Sequence, residues 1–299
     1  MSLHNLHKGW LDQSERGSLF AMQALAWVTL KIGRRFGRLF LLPICVYFIL
    51  FSHGTRASSF DYLRRVLPRR PTWRDVVRHY HTFASTIHDR LYLLSGQHHT
   101  FDVRMHGYEA IEPVLRSQGC ILLGSHLGSF EILRALGMFE KTLAINVLMH
   151  DAHANKLNSI LHSLNPAIQP GIIALGKPNT LLKVHECIER GEIVGILGDR
   201  TFKSEKNLNC EFLGGQITLP QGPFALAAVL HAPVILFFGL YRGGKRYDLH
   251  FELFETDPSV DRAQRDERIA GWAQRYADRL AHYCRLAPYN WFNFYRYWN

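Results

Sequence analysis

Cysteine is scarce in this 299-residue chain, and what there is cannot form a framework. Cys45, Cys120, Cys187, Cys210 and Cys284 are odd in number, far apart, and contain no Cys-x-x-Cys. That spacing argues against disulfide scaffolding and for a reducing environment around the bulk of the chain. The apolar run Leu39–Phe51 (LFLLPICVYFILF) is too short to span by itself. As a helix it rises about 20 Å, against a hydrocarbon core of about 30 Å. A cleavable signal peptide is not expected, because the run lies deep and no small-residue cleavage site follows it. Gly-x-Ser-x-Gly is absent, which removes the hydrolase nucleophile elbow. Residues 171–177 (GIIALGK) imitate a phosphate loop, but Pro178 stands where a Ser or Thr would ligate magnesium. Proline also removes a backbone N–H, so no nucleotide site is expected there. The pairs His79/His81, His98/His99 and His150/His153 lack a convincing further ligand, and no metal site is expected. Internal repeats and low-complexity segments are missing as well.

Basic charge is concentrated at one end. Residues 1–80 hold 13 Lys/Arg against 4 Asp/Glu, whereas the remainder holds 22 against 21. A nearly neutral body excludes a nucleic-acid binder with a basic face on its folded core. Arg34, Arg35 and Arg38 precede the apolar run, and a weaker apolar helix is expected over 18–32. Buried core helix, interfacial anchor and tilted span are all compatible with this pattern. Cations beside an apolar run suit an anionic cytoplasmic leaflet, at about 1 kcal/mol each. A membrane anchor with the body on the cytoplasmic side is therefore the preferred expectation.

Two regions follow: a helical, basic, membrane-associating region over 1–96 and an α/β domain over 97–299. In the first, Arg56–Leu67 has helical spacing, and Thr72 with Asp75 forms a capping box opening a helix that ends near Ser95-Gly96. In the second, short apolar runs at 119–124, 142–148, 192–198 and 233–240 alternate with helical stretches near 108–117, 130–139, 152–164 and 178–190. Such alternation predicts an α/β fold with a mostly parallel sheet flanked by helices. A strand near 246–254 is expected at an edge, and an amphipathic helix over 261–285.

The densest chemistry lies in residues 119–131, Gly-Cys-Ile-Leu-Leu-Gly-Ser-His-Leu-Gly-Ser-Phe-Glu. A strand, a small-residue turn and a helix start place His126 at the carboxyl end of a strand, where open α/β sheets bind ligands. His-x4-acid occurs three times, as His7/Asp12, His126/Glu131 and His250/Glu255, but only His126 has this setting. His126 is read as a general base and Glu131 as the carboxylate that orients its ring. Ser125, Gly128 and Ser129 would let substrate approach the backbone, and the helix start would offer N–H donors to an oxyanion. A structural histidine bonded within the turn is the alternative. Asp199-Arg200 follows a second strand end, either as an ion pair or as a site for a substrate head group.

These blocks, with FLGGQITLPQGPFALA and the aromatic ending PYNWFNFYRYWN, resemble the late-step lipid A acyltransferases of the lysophospholipid acyltransferase superfamily. The resemblance runs nearly end to end and is most specific at GSHLGSFE. It implies transfer of a fatty acyl group from acyl carrier protein or acyl-CoA to a hydroxyl of a membrane glycolipid, at the bacterial inner membrane. No cofactor and no covalent acyl-enzyme are implied. His126 and Glu131 would be the catalytic pair, with Asp199 and Arg200 near a head group. The chain departs from the family's usual Asp-x-Asp segment at Gly198-Asp199-Arg200, so an acceptor other than lipid A stays open. A non-catalytic lipid-binding or scaffold protein is the competing class.

Overall fold

The computed structural model describes residues 29, 31, 33–140, 144–150, 171–201 and 206–298. The helices expected over 18–32 and 152–164 lie largely or wholly outside these. Nine strands and nine α-helices are found among the described residues. Seven strands make one sheet: β1 (Asp102–His106), β2 (Cys120–Gly124), β3 (Ile145–His150), β4 (Ile172–Leu175), β5 (Ile193–Leu197), β8 (Val234–Gly243) and β9 (Arg246–Glu255). Their order is β1-β9-β8-β2-β5-β3-β4. The pairings from β8 across to β4 are all parallel, and only β8 with β9 is antiparallel. β6 (Asn207–Phe212) and β7 (Gly215–Pro220) form a separate hairpin.

Side-chain alternation divides the core between the two faces of this sheet. Leu123, Val194, Leu236 and Phe238 join one cluster, while Leu122, Ile193, Ile235 and Phe237 join the other. Both faces are dry because helices cover both, as a parallel sheet requires. α9 (Arg265–Leu286) buries Ile269, Trp272, Tyr276, Leu280 and Tyr283, a stripe at helical spacing. Burying one such large apolar side chain stabilises the fold by about 1.5–3 kcal/mol.

Two expectations need correction. β9 is not an edge strand: it lies between β8 and β1, and β1 supplies the edge. β1 was invisible as a strand because DVRMH is mostly exposed and polar. Residues 171–177, which imitate a phosphate loop in sequence, contain β4, whose first residues pair with Val147 and Leu148 of β3.

The N-terminal described helices are α1 (Arg34–Leu39), α2 (Leu41–Phe51), α3 (His53–Val66) and α4 (Trp73–Leu94). The Thr72 N–H donates to Asp75 at 2.7 Å, the reciprocal half of the expected capping box. Among the described residues no single helix is long and apolar enough to cross a membrane; the segments Arg34–Phe51 and His53–Val66 are bent by 100°.

Arg34 and Arg38, expected to face lipid, instead turn inward onto Asp89 of α4. Arg34 grips the carboxylate with two bonds of 2.8 Å, Arg38 approaches at 3.0 Å, and the Tyr247 hydroxyl donates at 2.9 Å. Asp89 is wholly buried, and its charge demands such partners. Gly37 lets α1 lie this close: a Cβ there would come 2.4 Å from His88 Nε2. Only Arg35 of the three arginines is left exposed on α1.

Candidate active site

β2 and β5 are parallel neighbours, with Gly124 opposite Leu197. Two residues beyond that pair lie His126 on one strand and Asp199 on the other. The register therefore delivers the imidazole and the carboxylate side by side at the carboxyl end of the sheet. His126 Nδ1 lies 2.7 Å from Asp199 Oδ1, and the His126 backbone N–H donates to the same carboxylate at 3.0 Å.

The C-terminal segment closes around this pair. Trp291 Nε1 donates to Asp199 Oδ2 at 3.0 Å and Asn293 Nδ2 does so at 2.9 Å. Tyr297 donates to the Asp199 carbonyl at 2.7 Å, and the Phe292 N–H to the His126 carbonyl at 2.8 Å. Asp199 is 0% exposed. Burial alone would raise its pKa. The His126 charge and hydrogen bond, the Arg200 charge and the His126 N–H outweigh burial and hold it at about 2. Being ionised and acceptor-only, it fixes the imidazole tautomer with the proton on Nδ1.

That leaves Nε2 with its lone pair and with no hydrogen-bond partner among the described residues. The His126 side chain is 28% exposed, so the nitrogen is not sealed off. Burial, then the Arg200 charge, lowers the imidazole pKa from its ordinary value, and Asp199 opposes them. The ring is consequently neutral at physiological pH. A neutral histidine with one nitrogen pinned and the other open meets the geometric requirement for accepting a proton.

Glu131, expected to orient the ring, makes no hydrogen bond to it. It starts α6 (Glu131–Glu140), where it faces Arg134 at 3.5 Å and Arg90 of α4 at 3.6 Å. Asp199 has taken Nδ1 because adjacent strand ends are closer partners than the next helix start. The N–H groups of the turn before that helix start are already engaged. The N–H groups of His126, Gly128 and Ser129 go to Asp199, the Asn290 carbonyl and the Gly239 carbonyl. Gly128 serves the fold rather than substrate access. Its φ is 74°, and a Cβ would fall 1.8 Å from the Gly239 oxygen of β8.

Ser125 and Ser129 are both buried beside the ring's own turn, and the Ser125 hydroxyl oxygen has no hydrogen-bond partner. Arg200 directs Nε to Asn293 Oδ1 at 2.8 Å and a terminal nitrogen to the Phe292 carbonyl at 3.0 Å. It thus ties the C-terminal segment to the strand end. Trp291, Asn293 and Tyr297 were not singled out from the sequence. Their signal was an aromatic ending without periodicity, and nothing local to it points at Asp199.

Other histidines fall elsewhere. His79 is fully buried, accepting from Ser59 and donating to the Trp291 carbonyl at 2.7 Å. His106, Asp248 and His250 cluster across β1 and β9, but both Asp248 oxygens are taken by Arg242 and Arg246. All five cysteines are free and buried.

A doubly covered, mostly parallel sheet with a histidine–carboxylate pair at adjacent strand ends places the chain among α/β proteins with a candidate site at the carboxyl end of the sheet. The chain belongs to the bacterial lipid A biosynthesis acyltransferase family, whose model matches residues 11–299. That family is one of acyltransferases, which supports a transferase activity and implies an acyl donor and a lipid acceptor as substrates. No curated protein matches the chain.

Proposed function

We propose that this acyltransferase moves a fatty acyl group from acyl carrier protein or acyl-CoA to a hydroxyl of a glycolipid, such as a lipid A precursor, with His126 as general base. Nε2 takes the proton of the acceptor hydroxyl as its oxygen attacks the thioester carbonyl. The C–S bond then breaks, and the leaving thiolate recovers the proton from Nε2. Asp199 stabilises the imidazolium between those two transfers, the role a buried carboxylate plays beside a catalytic histidine. The observation that carries this reading is the 2.7 Å bond from Nδ1 to a wholly buried Asp199, with Nε2 left unpartnered.

Chemistry on a lipid requires the base at a bilayer, and we assign that contact to α1 and α2 at the cytoplasmic face of the inner membrane. Phe36, Leu39, Leu42, Tyr47, Leu50 and Phe51 are all exposed. A contiguous apolar patch beside an exposed arginine suits an interfacial helix. The Asp89 clamp supports this arrangement, because it holds α1 rigidly to the body that carries His126.

The test is mass spectrometry of membrane lipids from cells lacking the protein, complemented with wild type or His126→Ala. A species heavier by one acyl group in the wild-type complement alone is expected. An equal yield of that species with His126→Ala would remove the histidine from the chemistry. Identical lipid profiles in all three strains would defeat the glycolipid reading.

A further inference from the structure

Asp199 and Arg200 are neighbours in the chain, and their side chains meet through Asn293. Asn293 Nδ2 donates to Asp199 Oδ2 at 2.9 Å, while Asn293 Oδ1 accepts from Arg200 Nε at 2.8 Å. The residue is 2% exposed, so water does not share these contacts. The two charges fix which way the amide points. Turned over, it would set its oxygen against a carboxylate and its N–H groups against a guanidinium, which can only donate. A small planar group that donates on one side and accepts on the other suits the space between an acid and an arginine.

What the amide prevents follows from the strength of the alternative. A guanidinium fork matches a carboxylate with two charge-assisted bonds and competes well against neutral N–H donors. Asp89 shows the outcome, with Arg34 holding both of its oxygens at 2.8 Å. Asp199 instead gives Oδ1 to His126 Nδ1 at 2.7 Å and Oδ2 to the neutral donors Trp291 and Asn293. Arg200 directs its bonds to Asn293 and to the Phe292 carbonyl, while its charge still reaches the ring. The charges that act on His126 are those of Arg200, Asp199 and Arg90 of α4, and of these Arg200 shares an amide with Asp199. Fastening the C-terminal segment does not require that amide. Tyr297 donates to the Asp199 carbonyl at 2.7 Å, the Phe292 N–H to the His126 carbonyl at 2.8 Å, and the Tyr241 N–H to Asn290 Oδ1 at 2.8 Å.

We propose that Asn293 is a positioning residue that shields Asp199 from Arg200 and so keeps the carboxylate on Nδ1 of His126. It acts through Asp199. Its consequence for turnover rests on the acyltransferase reading, whereas the hydrogen bond it protects can be read directly.

Proton NMR of the full-length protein in detergent, with its histidines labelled with nitrogen-15, follows the Nδ1 proton shared with Asp199. Its absence in His126→Ala identifies it. Asn293→Ala is expected to lose this signal as Arg200 turns onto Asp199. The His126 titration midpoint should then move down, because a positive charge has come closer. Acylated product in complemented cells is expected to fall about tenfold or more, the effect of a misplaced charge-assisted hydrogen bond. Adding Arg200→Gln to Asn293→Ala removes the competitor and should restore the signal. A signal that persists in Asn293→Ala overturns the proposal. So does one that stays lost in the double variant while Arg200→Gln alone retains it, since the amide would then serve Asp199 directly. That second comparison needs no Asn293→Ala single variant and holds even if the single variant fails to fold. Signals that respond as stated, in a protein whose wild type yields no acylated lipid, would keep the positioning role and sink the acyltransfer scheme.

Discussion

Asp89 and Asp199 are both wholly buried, and the chain neutralises them in different ways. Around Asp89 stand Arg34 and Arg38, cations that never lose their charge, together with a tyrosine hydroxyl and, at 3.7 Å, the buried His88 imidazole. Around Asp199 stand a tryptophan N–H, an asparagine amide and backbone, with one titratable partner, His126. The first arrangement is held by two permanent positive charges, and the imidazole beside it is sealed from solvent. The second leaves a single group free to gain and lose a proton, and that group reaches solvent through its far nitrogen. A buried carboxylate thus becomes a clasp or part of a base according to the ionisation of what surrounds it.

The sharpest way to break this comparison is Asp199→Asn. The amide keeps the shape but loses the charge that fixes the tautomer and stabilises the imidazolium. A fall in turnover of about 10²–10⁴-fold is expected, the range of general-base assistance. Since Asp199 raises the His126 pKa, the acid limb of any residual pH–rate profile should move further down. In wild type that limb lies below the ordinary histidine value, with activity lost as pH falls through it. A limb unmoved in Asp199→Asn would deny the coupling.

Asp89→Ala is the counterpart. It strands two guanidinium groups in a buried site, a change that costs about 3–5 kcal/mol. Urea unfolding should show that loss, while turnover per folded molecule changes far less than in Asp199→Asn. Equal losses of turnover in the two variants would erase the distinction between clasp and base.

His79 offers a smaller effect with a defined sign. Burial depresses its pKa to about 4, against the hydrogen bond to the Trp291 carbonyl. The unfolded chain binds a proton near pH 6.5 that the folded one refuses until about pH 4. Stability is therefore full above pH 6.5 and falls as pH drops toward 4, by up to roughly 3 kcal/mol. Denaturant titrations at pH 7 and pH 5 should show the drop in wild type and a shallower one in His79→Gln. A wild-type stability independent of pH across that window would count against a neutral buried ring.

Several elements were legible because their causes are local. Strands β2, β5 and β8 announce themselves as short Ile, Val and Leu runs, and α4 by its capping box. His126 at a strand end could be found because the strand, the small-residue turn and the helix start are contiguous. Glu131 was given the wrong neighbour for the same reason: a spacing of five in sequence was allowed to stand for contact. The arginines of α1 were read by composition as lipid-facing, although their partner lies more than fifty residues away in α4.

The sequence by itself determined where the central strands β2, β3, β5 and β8 lie and where helices alternate with them, that both faces of the sheet must be covered, and where along the chain the imidazole would emerge. Each of these follows from apolar periodicity and turn chemistry within a few residues. Only the tertiary structure decided which carboxylate reaches the ring, because that depends on β5 lying beside β2 in one register. It alone folded Trp291, Asn293 and Tyr297 back onto Asp199, and turned Arg34 and Arg38 inward. A buried charge takes its partners from whatever segment packing brings within about 3 Å, and no distance along the chain encodes that.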